Sequence, residues 1–379
     1  MRTAALSGDA PRISGAQVAA FRLSRHRLST RARVGDVSRV AGDMAGVQAQ
    51  LMSAAQMSLW ARSRGLRVRD IERALWQDRT LAKAWCMRGT VHLVPSEDLA
   101  VYARGCSRRA ERSTGWMIRE GLPARLIDPI IDAIARSLER PLTRKELADR
   151  VCASVGEKAR PWVEHSWGGI LHLACMRAVC CTGPSRGNEV TFVRPDVWLP
   201  NWRDMDVENA ELELLRHYLH AFGPAGVGDF AIWTYMKVAD ARDIWARIEP
   251  ELAPVSVGGR AGWVLRKDLS SLERARIDRP LVRLLPHFDA FLLGHKDKGH
   301  LVDARHYRRV YRKAGWLSPV VLVDGRVAGV WSRARRARRL DVRVEPFLKL
   351  PRDVHDAVES EASDLARFLE ADDVRVTFT

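Results

Sequence analysis

The apolar and polar positions of the chain predict helices and short strands that recur in the same order. In the middle of the chain, helical spacing in "LIDPIIDAIARSLE" is followed by "PLTRKELADRVCASVG", where Thr143 and Glu146 are placed as a capping box. A third helical stretch, "WVEHSWGGILHLACMRAVCC", runs into a strand, the turn "TGPSRGNE" and the returning strand "VTFVRP". Helices followed by a β-hairpin in this order predict a winged helix.

Two further copies of this unit are predicted, one on each side of the middle copy. The later copy contains "ENAELELLRHYLHAFGP", "AGVGDFAIWTYM" and "ADARDIWARIEPEL", followed by "APVSVGGRAGWVLRK" with Gly258 and Gly259 at the wing turn. The first copy is less regular and ends in the strand-like "TLAKAWCMRGTVHLVP" and the helical "EDLAVYARG". Its earlier helices are predicted over about 16–24, 36–45, 53–63 and 69–77.

After about residue 290 the pattern changes to shorter, β-prone segments. "PVVLVDGRVAGVWS" predicts a hairpin with Asp324 and Gly325 at its turn, "RARRARRLDVRVEPF" extends it, and "DVHDAVESEASDLARFLEA" predicts a terminal helix. The predicted fold class is α+β: tandem winged-helix repeats, each a helix-turn-helix plus a β-wing, and a C-terminal β-rich part. No long low-complexity linker separates these parts, so we expect them to pack together. The predicted boundaries are a flexible tail at 1–12, winged helices at 13–125, 126–205 and 206–290, and the C-terminal part with its terminal helix at 291–379.

The net charge of the chain narrows the classes of molecule that it is expected to bind. The 379 residues include 62 lysines and arginines against 46 aspartates and glutamates, a formal net charge of +16. This excess favours a polyanion, most often nucleic acid, although a genome rich in G and C also raises the arginine content. No apolar run approaches the roughly 20 residues that cross a bilayer, and the first residues lack a secretory signal. We therefore expect a cytoplasmic, nucleoid-associated protein without a membrane partner.

Motifs for metals and nucleotide cofactors are absent from the sequence. The six cysteines form no CxxC pair and most lie in apolar surroundings, which favours buried free thiols in a reducing compartment. The chain has no GxxxxGK[ST] or HExxH motif, and the glycine-rich "GPAGVG" follows a helix rather than a strand. We therefore predict neither a metal site nor a cofactor.

Gln48 and Gln50, within "AGVQAQLMSAAQ", are two glutamines separated by one alanine. Side chains two positions apart share a face only where the chain is extended. Gly42 and Gly46 precede the pair and are expected to end the helix before it. An extended pair can hold one water molecule between its amides, whereas the ordinary alternative is a polar linker or a helix surface.

Five segments together resemble the AlkZ/YcaQ-like winged-helix DNA glycosylases. The resemblance runs from about residue 15 to about residue 370 and implies three tandem winged helices and a C-terminal β-rich part. It also implies a C-shaped channel for damaged double-stranded DNA, in a protein that acts as a monomer. The segments follow the family's order: "VQAQLMSAAQMSLWARSRGL", "ALWQDRTLAKAWCMRGTVHLVP", "FGPAGVGDFAIWTYM", "LPHFDAFLLGHKDK" and "VLVDGRVAGVWS".

The family's catalytic motif is glutamine, an apolar residue, then glutamine or aspartate, and it falls on Gln48, Ala49 and Gln50. The resemblance implies the branch that excises bulky N7-alkylguanine adducts and unhooks interstrand crosslinks, in some cases as self-resistance to genotoxic natural products. N7 alkylation makes the base cationic, so breaking the C1′–N9 bond releases a neutral purine without acid help. Because carboxamides both donate and accept hydrogen bonds, the two glutamines would only have to orient the attacking water.

Basic side chains in three places are predicted to contact DNA. Arg88 and His92 are expected on one face of a single strand, where His92 is equally suited to interior packing. The two lysines of "GHKDKGH" suit phosphates, and a hairpin carrying arginines can enter a groove, although such residues are often simply solvated. The predicted contacts are Arg88, His92, Lys296, Lys298, Arg326, Arg333, Arg335 and Arg336.

Two other functions stay open from the sequence. One is a non-enzymatic winged-helix regulator, which would bind DNA without releasing a base. The other is a bifunctional lyase acting through a lysine Schiff base, although no lysine stands out for that role. Release of a free base from N7-methylguanine duplex separates the enzyme from the regulator.

Overall fold

The computed structural model describes residues 10–165, 167–278 and 280–379, and the chain has the predicted mixed α+β structure. Residues 1–9 of the predicted tail lie outside the described residues, whereas Arg12 already belongs to a strand. The four helices predicted in the first part are confirmed. This part contains β1 (Arg12–Ile13), α1 (Gly15–Arg25), α2 (Val37–Asp43), β2 (Val47–Gln48), α3 (Met52–Trp60), α4 (Val68–Trp76), β3 (Leu81–Trp85), β4 (Val91–Pro95), α5 (Leu99–Arg104) and α6 (Ser107–Arg119).

The second part has its helices and its hairpin in the predicted order. The capping box is formed as predicted, since the Glu146 amide donates to Thr143 Oγ1 at 3.3 Å and the Thr143 amide donates to Glu146 Oε2 at 2.7 Å. The elements are α7 (Ile127–Ser137), β5 (Leu142–Thr143), α8 (Arg144–Val155), α9 (Arg160–Val163), α10 (Gly169–Met176), β6 (Cys181–Arg186), β7 (Glu189–Val193) and α11 (Pro195–Trp198).

The third part repeats helices followed by a hairpin. Gly258 and Gly259 form the turn with φ of 56° and 80°, a left-handed conformation that favours glycine over other residues. The elements are α12 (Val207–Phe222), α13 (Val227–Thr234), α14 (Val238–Arg247), β8 (Leu252–Val257), β9 (Arg260–Leu265) and α15 (Leu269–Glu273).

The C-terminal part is rich in strands and carries the predicted hairpin. Asp324 and Gly325 have φ of 48° and 83°, so they form the turn, and Val323 pairs with Arg326 across it. A final strand follows the terminal helix. The sequence pattern predicted the helix but not this strand. The elements are β10 (Val282–Leu285), α16 (Tyr307–Val310), β11 (Val320–Val323), β12 (Arg326–Arg336), β13 (Arg339–Pro346), α17 (Arg352–Phe368) and β14 (Asp373–Phe378).

The strands of the described residues join parts that are distant in sequence. One sheet has the order β2-β4-β3-β6-β7-β5, so the hairpins of the first and second parts are continuous. Another has the order β1-β8-β9, with Arg12 beside Ser256. The C-terminal sheet has the order β10-β11-β12-β13-β14 and therefore begins at Val282, before the predicted boundary at residue 291.

A hydrophobic cluster extends from Leu23 in α1 to Phe368 in α17, which confirms that the parts pack together. Burial of this apolar surface is the main force that fixes the parts against one another. Trp60, Trp233 and Trp245 are buried in this cluster, as core packing predicts. No helix within the described residues is both long and apolar enough to cross a lipid bilayer.

Candidate active site

The segment that carries Gln48 and Gln50 is extended, which the catalytic hypothesis requires. Helix α2 ends at Asp43, and the chain then reverses through Ala45 and Gly46 with φ of 54° and 90°. The φ of Gly46 is one that residues with a side chain rarely adopt, and a Cβ there would also lie 2.9 Å from Met87 Cε, so the methionine would have to shift. Strand β2 then pairs with β4 as far as Gln48, and the Ala49 amide donates to the Val91 carbonyl at 2.7 Å, so the chain is extended up to the bend at Gln50.

The two glutamine side chains contact each other at the protein surface. Gln48 Nε2 donates to Gln50 Oε1 at 3.0 Å. Gln50 is exposed and Gln48 is 8% exposed, so the pair is neither sealed in the interior nor free in solvent. Ala49 points to the opposite side and is buried in the core, which explains why a small residue fits between the two amides.

Arg88 fixes the orientation of the Gln48 amide. Its Nη2 donates to Gln48 Oε1 at 3.1 Å, while Nη1 donates to the Trp233 carbonyl at the end of α13, also at 3.1 Å. Burial lowers the pKa of Arg88 to about 10, so the guanidinium stays charged at neutral pH. Each amide oxygen uses one of its two acceptor positions within this network. The pair therefore retains acceptors for a water molecule.

The predicted geometry of Arg88 and His92 on one strand is wrong, although the two side chains do meet. The chain turns at Met87–Gly89, where Arg88 has φ of 57°, so Arg88 lies at the tip of the β3–β4 hairpin rather than in a strand. Its Nη2 lies 3.1 Å from His92 Nε2. The hairpin tip, not the strand pleat, brings these residues together.

His92 is a neutral member of the network. Its Nδ1 lies 2.9 Å from the Thr90 carbonyl, which only accepts, so Nδ1 carries the proton and Nε2 accepts from Arg88. Burial, and secondly the charge of Arg88, lowers the pKa of His92 to about 3. His92 therefore has no proton to give to a leaving group at neutral pH. In the described part of the chain, no carboxylate hydrogen-bonds to either glutamine.

Acidification is expected to destabilise the protein through His92. The pKa is about 3 in the folded protein against an ordinary value of 6.5, so the unfolded chain binds the extra proton between these pH values. The stabilisation is complete above the unfolded pKa and falls by roughly 1.4 kcal/mol per pH unit below it. Urea unfolding at pH 5 to 8 measures this dependence, and His92→Asn should reduce its slope. Part of the slope should remain, because burial also lowers the pKa values of His26, His295 and His300. An unchanged pH dependence in His92→Asn would show that His92 is not held neutral.

The two lysines of the predicted basic loop lie in different environments. Lys296 is exposed, and its ammonium has no partner among the described residues. Lys298 Nζ donates to the Leu292 carbonyl at 2.9 Å and lies 5.3 Å from the centre of the Tyr311 ring. Burial, and secondly the charge of Arg88, lowers the pKa of Lys298 to about 8. Lys296 is thus better placed than Lys298 to meet a phosphate.

The predicted arginines of the C-terminal hairpins also differ. Arg326 donates to the Gly299 and His300 carbonyls, and Arg336 pairs with Asp341 at 3.2 Å. Arg335 donates to the Leu369 and Glu370 carbonyls, so it holds the end of α17. Arg333 is half-buried and has no hydrogen-bond acceptor or carboxylate partner among the described residues. Of these four arginines, Arg333 therefore has the charge with the fewest partners within the described residues.

A basic cleft beside α3 was not predicted from the sequence. It has a volume of about 750 Å³ and combines Ser53, close after Gln50, with arginines from the α16 region and from β12. The signal was present in "YRRVYRKAGW", where basic residues alternate with aromatic ones, a pattern typical of nucleic-acid binding. The cleft is lined by Ser53, Met57, His287, Arg308, Arg309, Arg312, Ser318, Pro319, Val330, Trp331, Ser332, Arg333 and Glu345.

The prediction that the cysteines are buried free thiols is confirmed. Burial raises the pKa of the Cys106 thiol to about 12, which makes it a poor nucleophile at neutral pH. Within the described ranges, no group of three or more histidine, cysteine, aspartate or glutamate side chains is placed to hold a metal ion.

Comparison with known proteins agrees with the resemblance read from the sequence. The model of the family "DNA glycosylase AlkZ-like" matches residues 41–368. The "Interstrand DNA cross-link repair glycosylase" of Streptomyces sahachiroi is 34% identical over an alignment of 364 residues, and the match covers 93% of this chain and 95% of that protein. The solved structure of Streptomyces sahachiroi DNA glycosylase AlkZ matches with a TM-score of 0.85 and 31% identity, covering 97% of this chain and 100% of the other. The resemblance is thus confirmed, and the chain belongs to the AlkZ-like DNA glycosylase family, whose members hydrolyse N-glycosidic bonds.

Proposed function

We propose that this DNA glycosylase is monofunctional and acts on cationic N7-alkylated purines, bulky adducts and interstrand crosslinks included. The observation that carries the proposal is the pair of uncharged amides, Gln48 and Gln50, connected through Arg88 to a neutral His92. A site without a nearby acid suits a substrate whose leaving group needs no proton. The printed name of the Streptomyces relative, which refers to interstrand cross-link repair, supports the same class of lesion.

The amide pair would act by positioning one water molecule. Gln48 Oε1 is held by Arg88 and Gln50 Oε1 by Gln48, so the free acceptor position of each can receive one water hydrogen. The water oxygen then forms a bond to C1′ as the C1′–N9 bond breaks. The bonding electrons pass into the purine and cancel its charge, and the water's proton is released to solvent. Orientation of this kind contributes up to roughly 7–11 kcal/mol in ideal cases.

In this proposal the three helical parts are winged-helix units around a C-shaped channel for duplex DNA. The basic cleft with Ser53 and Arg333 would form part of the channel wall beside the glutamines. The open character of the site suits a bulky lesion, because a crosslinked base cannot be extruded into a tight pocket.

Incubation with duplex DNA containing N7-methylguanine tests the proposed activity. Chromatography should detect free 7-methylguanine, and alkali should cleave the strand at the resulting abasic site. Binding without release from any cationic adduct would favour the regulator.

The lyase alternative depends on an unprotonated amine, and Lys298 has the lowered pKa that this needs. Its Nζ is engaged with the Leu292 carbonyl, so we expect no covalent complex on trapping abasic duplex with borohydride. A trapped complex that disappears in Lys298→Met would establish the lyase instead.

The affinity for DNA should fall steeply as the salt concentration rises, because Lys296 and Arg333 are expected to contact phosphates. Lys296→Ala and Arg333→Ala are each expected to lower the slope of log Kd against log salt by about 1, because each removes one phosphate contact. Fluorescence anisotropy with undamaged duplex measures the slope. Arg335→Ala is the matched control, since that guanidinium already donates to two carbonyls. Equal slopes in all variants would remove Lys296 and Arg333 from the interface.

A further inference from the structure

The segment from Tyr307 to Trp316 exposes aromatic side chains whose orientation is fixed by neighbouring rings. Tyr307 is 43% and Trp316 42% exposed. The Tyr307 and Tyr311 rings stack with centroids 4.8 Å apart at 23°, and Trp316 meets Phe288 edge-on at 5.1 Å. The segment lines a concave surface of about 940 Å³. Exposed rings that cannot turn freely lose little conformational entropy when a flat ligand stacks on them.

Cations without a carboxylate partner lie between these rings. Arg308, Arg312 and Lys313 are exposed and form no ion pair within the part of the chain that the structure describes. Neighbouring Arg305 and Arg309 differ, since they pair with Asp303 at 3.2 Å and Glu345 at 3.4 Å. The three unpaired charges therefore mark a place where a polyanion is favoured.

A tight turn presents the last cation and the last ring together. Ala314 and Gly315 have φ of 55° and 72°, so the chain reverses there. The Arg312 amide donates to the Trp316 carbonyl at 2.8 Å, and the Trp316 amide donates to the Lys313 carbonyl at 3.2 Å. Lys313 and Trp316 are thus held at fixed positions at the tip of the segment.

Fixed aromatic faces interleaved with unpaired cations match one chemical class best. Unpaired nucleotides expose both a phosphate and the flat face of each base, whereas a duplex keeps its base faces stacked inside. Arg308 and Arg312 also line the basic cleft that contains Ser53, so the two surfaces are continuous and reach a residue three positions after Gln50. We infer that Tyr307–Trp316 binds an unpaired stretch of a DNA strand next to the lesion, by stacking bases on Tyr307 and Trp316. This inference rests on DNA as the substrate, not on the proposed purine chemistry.

Three undamaged DNAs of equal duplex length test the inference by fluorescence anisotropy: a blunt duplex, one with a single-stranded extension, and one whose extension lacks bases. The extension with bases should tighten binding by roughly 5- to 100-fold for each base stacked, and the base-free extension much less. Tyr307→Ala and Trp316→Ala should each lose most of this gain, while Trp316→Phe should keep it. Tyr307→Ala and Trp316→Ala should still bind the blunt duplex as the unchanged protein does. They should also release 7-methylguanine at the unchanged rate from a separate blunt duplex that contains this base.

Trp167→Ala is the matched control, because Trp167 is 87% exposed and lies outside this segment. Equal affinity for the blunt and extended duplexes would overturn the inference, as would an equal gain from the base-free extension. Loss of blunt-duplex binding in Trp316→Ala, with thermal unfolding unchanged, would make the segment a general duplex contact and also overturn it. Tighter binding of a single-stranded RNA extension than of the DNA extension would assign the surface to RNA. Failure of base release with the extension gain intact would count against the proposed function alone.

Discussion

Replacing Gln48 and Gln50 together by alanine is expected to lower the single-turnover rate of base release by roughly 10³-fold or more. In the proposed function the two amides would orient the water, and the histidine near them is neutral. Each single variant should lose a large share of the effect, because one amide without its partner no longer defines the water position. Release of 7-methylguanine under enzyme excess measures the chemical step without product release.

The matched control for this double variant is Gln77→Ala, an exposed glutamine at the end of α4. It should leave the rate unchanged. Circular dichroism and DNA affinity should be nearly the same in all variants, since Gln50 is exposed and Arg88, which loses Gln48, keeps its contacts with the Trp233 carbonyl and His92. Near-normal release by a folded double variant would remove the glutamines from the chemistry.

Removing Asp289 is expected to give the largest loss of stability, about 3–5 kcal/mol in the free energy of unfolding for Asp289→Ala. Asp289 accepts from both terminal nitrogens of Arg62, at 2.7 and 2.8 Å, and neither side chain is exposed. Ser58 Oγ and the Phe291 amide also donate to it. The substitution would leave the Arg62 charge buried without a counterion. Urea unfolding at pH 7 measures the change.

The double variant Arg62→Met, Asp289→Leu should be less destabilised than Asp289→Ala, because no charge then remains buried. Asp278→Ala is the exposed control, since the ion pair of Asp278 with Arg276 is open to solvent and should leave the unfolding midpoint almost unchanged. A small effect of Asp289→Ala would mean that solvent reaches Arg62. The pair joins the C-terminal part to the residues that follow α3.

Local features of the fold were predictable from neighbouring residues. The capping box of Thr143 and Glu146 and the turn at Asp324 and Gly325 depend on a few adjacent side chains and on backbone preferences. Long-range pairing was not predictable in the same way. The contact of β3 with β6 is set by packing between parts far apart in sequence. Strand β14 pairs parallel with β13 only because α17 crosses back between them, and its residues alone carry no such signal.

Some features of the candidate site could be predicted from the sequence and others could not. Gly46 correctly indicated that the glutamines would be extended, since a chain reversal of this kind needs glycine. Arg88 was named, but its geometry was wrong because the hairpin turn at Arg88 requires an unusual positive φ for a non-glycine residue. Its partner Trp233 belongs to another part of the chain. Such a contact follows from tertiary packing and not from spacing.

Charge on the base is the central requirement of the account, and a neutral isostere of the substrate tests it most directly. Base release should be compared between two duplexes that are identical except that one carries 7-methylguanine and the other 7-methyl-7-deazaguanine, which has the same shape without the positive charge. We expect release from the cationic base and none measurable from the neutral one, with similar affinity for both duplexes. Comparable release from both bases would contradict the account, because the protein would then be supplying the acid that its neutral site lacks.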